Sequence, residues 1–501
     1  MTAKAASRKR KAQAQAQAQG QSGQKMSKVA RPISPPSDSP PEPTSLQSVT
    51  STEELEITVE TLRELAAHPS LIKSKQCREL RGAVHDFRQA CTTGVNAAGT
   101  NLTARISAAL ADGKYMDARV LLAEMRLRGD ELKLGALCRW VRDLDVISGL
   151  STSTSPDDRQ VAATERSPED KERLLVVDAI LRATGPVDLN PEALRRYATV
   201  PAGTPAIHVQ DIWDLRPAGA REQVYATVLD KSILTHAPSA DSLPDALPVI
   251  ETTDGAQRKP PNHHPAVVYT SAPGAVPLAP DAPASIAYHP HPTVPRLGVA
   301  TDVLTPDECK AIIAAGESVG FLPDAPVRAD GDVSILAHNF YWVVDAPFHD
   351  RLWSRIARFV PAVLGGRVAR GINRRFRVYR YVPGAEYRCH IDGAWPPSGV
   401  RPDRTYVYDD SPDGQKQSSL FTFLVYLNDE FEGGETTFFL PGAAEGTLNA
   451  YPVRPVMGAV AIFPHGETRG ALLHEGTGVR KGAKYVIRTD VEYDVEPTVG
   501  A

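Results

Sequence analysis

Nothing in this 501-residue sequence provides for a disulfide framework, a thiolate zinc site or a membrane span. Its five cysteines (Cys77, Cys91, Cys138, Cys309 and Cys389) are odd in number, scattered and never arranged C-x-x-C. That excludes a stapled scaffold and a structural zinc site, and it favours a reducing compartment. No apolar run approaches the roughly 20 residues that cross a bilayer, so no membrane association is expected. The basic, Gln/Ala-rich start has no apolar segment of the kind a secretory signal needs. Charge of one sign is also missing, with 56 Lys/Arg against 60 Asp/Glu. Eight of those bases sit in residues 1–50 against two acids. The remainder is therefore acidic, which leaves no strong nucleic-acid signal. Aromatics are sparse at 6%, whereas apolar residues at 42% suffice for a core and 42 prolines imply long irregular connections.

This length predicts two or three domains. Residues 1–50, with "SRKRKAQAQAQAQGQSGQK" and "RPISPPSDSPPEP", have too little apolar content to offset ordering entropy and are expected to form a disordered tail. The cluster from Arg8 to Lys11 fits either a nuclear localisation signal or a solvated tail, so the expected location is cytoplasm, nucleus or both. Residues 51–148 read as a helical domain. "STEELEITVETLRELAAHPS" pairs Ser/Thr caps with Leu55, Val59, Leu62 and Leu65 at helical spacing. A helix–Gly113–helix–Gly129–helix rhythm follows. It is compatible with an ordinary bundle or with one unit of a helical-hairpin repeat that binds a protein partner. Residues 149–166 read as a linker. Residues 167–299 read as a helix capped by Ser167 and Pro168, then Pro-rich extended segments such as "VYATVL" and "AVVYT".

From 300 to 496 the pattern sharpens. "LTPDECKAIIAAGESVGF" offers Thr305 as N-cap, Pro306 in the first turn and Glu308 to close a capping box. After a second amphipathic helix, "HDRLWSRIARFVPAVL", come the strand-like runs "RFRVYRYV", "LFTFLVYLND", "TTFFL", "PVMGAVAIFP", "ALLHEG" and "KYVIRTDVEY". Helices followed by six or more short strands predict an α+β chain whose C-terminal part is a barrel or jelly roll with flanking helices.

The chemistry concentrates in "YRYVPGAEYRCHIDGAW". On a strand His390 and Asp392 share a face, and together they make two-thirds of a 2-His-1-carboxylate site for non-haem Fe(II). His474 in "GALLHEGTGV" is the preferred third ligand, with His465 in "FPHGE" as competitor. Ten residues after His474, Lys484 falls on the same strand face as Arg488, where a dicarboxylate cosubstrate would need an inward cation. "PPNHHP" and "GTGVRKG" are read as an exposed loop and a connection, since neither has the context of a metal site or a phosphate loop.

Five ordered blocks between about 300 and 495 resemble the prolyl 4-hydroxylase type of 2-oxoglutarate- and Fe(II)-dependent dioxygenases. They are "LTPDECKAIIAAGESVGF", "LWSRIARFVP", "YVPGAEYRCHID", "LFTFLVYLNDEFEGGETTFF" and "LLHEGTGVRKGAKYVIRTDVEY". The resemblance implies a double-stranded β-helix with His390, Asp392 and His474 as iron ligands. It also implies Lys484 on the distal carboxylate of 2-oxoglutarate, with Arg488 able to assist or replace it. Tyr381 would hydrogen-bond the cosubstrate, Thr422 would help Lys484, and Tyr387 would stand on the substrate side. Fe(II), 2-oxoglutarate and O2 are the implied cofactors, with ascorbate as an accessory reductant. The implied substrate is a prolyl residue of a protein, another side chain or a small molecule. The long insert "AWPPSGVRPDRTYVYDDSPDGQKQSS" departs from the family pattern. The competing reading is a catalytically silent scaffold that works through its helical half.

Overall fold

The computed structural model describes residues 45–93, 101–151, 160–161, 166–188, 190, 206–258, 261–283, 285–327 and 337–497. The basic cluster from Arg8 to Lys11 lies outside them. The chain falls into two compact units, Met1–Asp86 and Phe87–Ala501. In the first, helix α1 (Thr52–Ala66) starts at Ser51, whose side chain accepts from the Glu54 N–H while Glu54 reaches back to the Ser51 N–H. This reciprocal capping fixes where the helix begins. The apolar stripe is formed as expected but buries no residue. Helix α2 spans Arg78–Thr93.

The second unit opens with α3 (Leu102–Ala111), α4 (Tyr115–Arg128) and α5 (Leu134–Asp143). Gly113 and Gly129 stand between them at φ 66° and 70°, left-handed conformations in which glycine stops a helix without strain. These helices do not belong to a separate domain ending at 148. Leu122, Trp140 and Val141 share one core with Cys389, Ile391, Phe439 and Leu473, more than 240 residues later. Helix α6 (Pro168–Thr184) joins that core, capped by Ser167 with Pro168 in the first turn. "VYATVL" is a short helix, Val224–Leu229, rather than a strand. Val224 is driven into the core with Ile312 and Leu352, and tertiary burial overrides the β-propensity of the segment. "AVVYT" is a strand, Ala266–Thr270.

Ten strands position the site: β1 (Ala206–Val209), β2 (His338–Val343), β3 (Arg375–Tyr381), β4 (Tyr387–His390), β5 (Gln417–Tyr426), β6 (Thr436–Pro441), β7 (Thr447–Val453), β8 (Val460–Pro464), β9 (Leu473–Gly476) and β10 (Lys484–Asp494). One six-stranded sheet runs Gln160–Val161, β1, β7, β6, β9, β4. The central strands of a second, eleven-stranded sheet are β2, β3, β10, β5 and β8 in that order. The two sheets pack face to face over Tyr379, Tyr381, Tyr426, Phe438, Phe463 and Val486. The outer face of the first sheet is covered by α3–α6. That of the second is covered by α7 (Pro306–Val319) and α8 (Ala346–Ile356). Thr305, Pro306 and Glu308 build the expected capping box at α7.

Glu308 also anchors the helical layer. Its carboxylate takes two 2.9 Å hydrogen bonds from Arg355, and both side chains are buried. Arg355 donates further to the carbonyls of Val303 and Ala279, both at 2.9 Å. Arg355→Met would leave Glu308 as a buried charge without its cation. The expected loss of unfolding free energy is about 3–5 kcal/mol, read as a lower urea midpoint at unchanged m-value.

Candidate active site

Period-two alternation explains which side chains meet between the sheets. Along β10, Tyr485, Ile487, Val491 and Tyr493 enter the core beside α7 and α8, so Lys484, Val486 and Arg488 turn the other way. Arg377, Tyr379 and Tyr381 of β3 alternate likewise against Phe376 and Val378. These inward residues line a cavity of about 390 Å³ together with Tyr387, His390, Asp392, Trp395, Thr422 and His474. The preferred ligands His390, Asp392 and His474, with Lys484, Arg488, Tyr381, Thr422 and Tyr387, border this one cavity, and the competitor His465 does not line it.

His390 and His474 are directly opposed across the antiparallel pair β4–β9. Tyr387 pairs with Gly476 three residues from His390, whereas Gly476 is only two from His474, so β4 carries a bulge. The extra residue puts Tyr387 and His390 on one face despite their odd spacing. Asp392 does not lie on the strand, which ends at His390. Even so, its carboxylate reaches the imidazoles: Oδ1 lies 3.5 Å from His390 Nε2 and Oδ2 lies 3.6 Å from His474 Nε2. Ligand atoms of all three fall within 4.8 Å of one another, the one such group among the described residues.

The donor set fits a divalent metal. His390 Nδ1 meets the Arg388 carbonyl at 2.7 Å and His474 Nδ1 meets the Leu472 carbonyl at 3.1 Å. A carbonyl only accepts, so each Nδ1 donates there and each Nε2 is the atom turned toward Asp392. Burial, then the neighbouring His390, push His474 down to about 4. Burial opposes the charge of Asp392, but Arg488 and the two imidazoles outweigh it and hold the carboxyl well below its usual range. Two imidazoles and one carboxylate thus converge from one side.

Lys484 lies deeper, 3% exposed. Its Nζ donates to the Gly434 carbonyl at 2.7 Å and faces the rings of Tyr381 and Tyr426 at 5.5 and 5.8 Å from their centroids. No ion pair engages it among the described residues, and burial pushes it down to about 8. Arg488 is already engaged, 2.9 Å from Asp490 and 3.5 Å from Asp392. The expected Thr422–Lys484 partnership does not form. Thr422 instead donates to Asp392 Oδ2 at 2.7 Å and contacts His465 Nδ1 at 2.7 Å. The insert meets the cavity wall at Trp395, bears a small hairpin (Gly399–Val400 with Tyr406–Val407), and is tied down by Asn373 to Pro396 and Ser398.

Sequence reasoning missed a brace behind the ligands. The Ser148 hydroxyl accepts from the Cys389 N–H at 2.7 Å, one residue before His390. Gly149 N–H, at 2.8 Å, and the Ser151 hydroxyl both donate to Glu475, one residue after His474. Cys138 Sγ donates to the Ile391 carbonyl at 3.4 Å, between the two ligands of the H-x-D motif. The expected linker 149–166 therefore begins with residues bound into the body of the unit. No local signal marks them; only their small polar type was visible.

Residues 376–489 match the sequence model of the 2OG-Fe(II) oxygenase superfamily. Prolyl 4-hydroxylase 1 of Arabidopsis thaliana is 28% identical over 209 residues, covering 38% of this chain and 66% of that protein. The chain thus spans about two-thirds of the length of this curated relative. Two solved structures are similar over their own lengths. The viral collagen prolyl hydroxylase of Paramecium Bursaria Chlorella virus-1 is 19% identical, covering 40% of this chain and 97% of that one, with a TM-score of 0.27. The Pseudomonas putida prolyl-4-hydroxylase is 18% identical, covering 39% and 91%, with a TM-score of 0.25. The matched segment runs from β3 to β10 and encloses the His390–Asp392–His474 group, so this part of the chain is similar to 2OG-Fe(II) oxygenases and to a prolyl 4-hydroxylase.

Proposed function

We propose that this protein is an Fe(II)- and 2-oxoglutarate-dependent hydroxylase, built on a double-stranded β-helix, that inserts one oxygen atom into a C–H bond of a protein side chain, with prolyl first in order. The observation that carries this is the convergence of two imidazole Nε2 atoms and a carboxylate beside a buried lysine that no carboxylate pairs among the described residues. When bound, the metal and 2-oxoglutarate supply the oxidation, in which R–H, O2 and 2-oxoglutarate give R–OH, succinate and CO2. His390, Asp392 and His474 would hold the metal from one side and leave the cavity side open. Lys484 would receive the distal carboxylate, because a second charge satisfies an ammonium that burial otherwise penalises. Tyr381, Cα partner of Lys484 across β3–β10, lies over the same pocket and would orient the cosubstrate. Tyr387 packs on His390 at 4.2 Å between ring centroids, where it would flank the substrate. A protein substrate is supported by the name of the Arabidopsis relative and by the exposed Arg142 at the cavity.

Anaerobic titration of Fe(II) with 2-oxoglutarate tests the reading, watched through the weak visible charge-transfer band of the chelate. Wild type should develop the band and His390→Ala should not. A folded, metal-loaded wild type without the band would favour the silent scaffold.

A further inference from the structure

His465 competes with His474 for the third ligand position on sequence grounds, yet the structure gives it different work. Its ring is fully buried, and both nitrogens are taken: Nδ1 by Thr422 Oγ1 at 2.7 Å and Nε2 by Ser419 Oγ at 2.9 Å. Neither nitrogen is left for a metal.

The direction of each bond follows from what each group can donate. The Asp392 carboxylate only accepts, so the 2.7 Å contact to Oδ2 consumes the one proton of the Thr422 hydroxyl. The Thr422 oxygen must then accept from His465, which puts the ring proton on Nδ1. Nε2 is left bare and accepts from the Ser419 hydroxyl, whose oxygen accepts the Trp395 N–H at 3.0 Å. Around the ring stand Arg488, Asp392, His474, the Ser419 backbone, which favours a ring proton, and Asp490, the last with Oδ1 3.6 Å from Nδ1. Burial and then Arg488 push His465 down to about 3, which is consistent with a neutral ring holding one proton.

We propose that His465 is a positioning residue for Asp392: as the Nδ1–H tautomer it donates to Thr422, which donates to Oδ2 and fixes the rotation of the carboxylate. The same bonds run on through Ser419 to Trp395, so the metal-facing carboxylate and the insert at the cavity wall share one hydrogen-bond line. This rests on the reading of Asp392 as a metal ligand. It goes further in assigning a tautomer, a donor direction and a residue outside the ligand set.

Two measurements test it. In metal-free protein, ¹⁵N imidazole shifts should show His465 as the neutral Nδ1–H tautomer across about pH 5 to 8. Anaerobic Fe(II) titrations then compare four substitutions. His465→Asn places an amide N–H near the Nδ1 position and Thr422→Ser keeps the hydroxyl, whereas His465→Gln places its amide near Nε2 and Thr422→Val removes the hydroxyl. The last two should weaken Fe(II) binding about tenfold or more, the first two by no more than about threefold. A role in packing alone would not distinguish Asn from Gln or Ser from Val. An Nε2–H tautomer, or equal losses in His465→Asn and His465→Gln, overturns the proposal. A wild type that binds no Fe(II) overturns the proposed function instead, and the tautomer measurement separates the two failures.

Discussion

Lys484→Met will lose 2-oxoglutarate while keeping its fold and its metal. The ammonium is buried and bonded to one carbonyl oxygen, at Gly434, so most of its charge is unmatched until a dicarboxylate arrives. Deleting one partner of a buried, hydrogen-bonded charge pair costs about 3–5 kcal/mol, which raises the dissociation constant for 2-oxoglutarate by roughly two orders of magnitude or more. Without ligand the variant should be no less stable than wild type, since an apolar chain replaces a charge that folding disfavours. The pH dependence has a definite sign. Burial lowers Lys484 from 10.5 to about 8, so between those values the unfolded chain binds more protons than the native one. Through this group, wild-type stability rises with pH across that window, and the full penalty is present below it. Lys484→Met should lack the rise. Binding of 2-oxoglutarate needs the charged form, so wild-type affinity should fall as pH climbs past about 8. Calorimetric titration and thermal melts from pH 6.5 to 9.5 (about the span that brackets this value) would check both. If Lys484→Met binds 2-oxoglutarate as wild type does, Arg488 is the anchor and the assignment of Lys484 fails.

What could be read without coordinates was whatever depends on local periodicity. Lys484 and Arg488 share a face because strands alternate, and Thr305 with Glu308 marks a helix start because both partners lie within four residues. The three candidate ligands are legible as residue types, but not by the geometry the spacing suggests. His390 and Asp392 were expected to face one way as i and i+2 of a strand. In fact the strand ends at His390 and a bulge sets the direction of its ring. Such a bulge depends on the register against β9, which no local pattern encodes. The resemblance pairs Thr422 with Lys484, but its actual partners depend on how β5 lies against β8, where Thr422 and Phe463 are paired. The docking of α5 behind the ligand strands was invisible for the same reason. Ser148 and Cys389, or Gly149 and Glu475, are separated by 241 and 326 residues.

That docking makes the largest structural prediction. Removing residues 1–100 should leave a folded, metal-binding protein. Helix α1 buries none of its residues, and α3 keeps its own cap, since the Asn101 side chain accepts from the Ala104 N–H at 3.1 Å. The change in stability should stay within about 1 kcal/mol, the scale of surface terms. Removing residues 1–151 should abolish the native state, although the family match begins only at 376. It strips Leu102, Ile106, Leu122, Leu137, Trp140 and Val141 from the core they share with Cys389, Ile391, Phe439 and Leu473. Each large side chain so exposed costs about 1.5–3 kcal/mol, and the sum over the retained partners is comparable with the roughly 5–15 kcal/mol of a whole domain. Glu475 would also lose Gly149 and Ser151, the donors that satisfy its buried carboxylate. Soluble yield, cooperative melting and Fe(II) binding of the two truncations decide the matter. A soluble 152–501 fragment that melts cooperatively and binds Fe(II) like the full chain would show that the β-sheets need no brace. Loss of all three properties, with 101–501 intact, would make the helices preceding the family match a structural part of the oxygenase domain, because they hold from behind the two strands that carry His390 and His474.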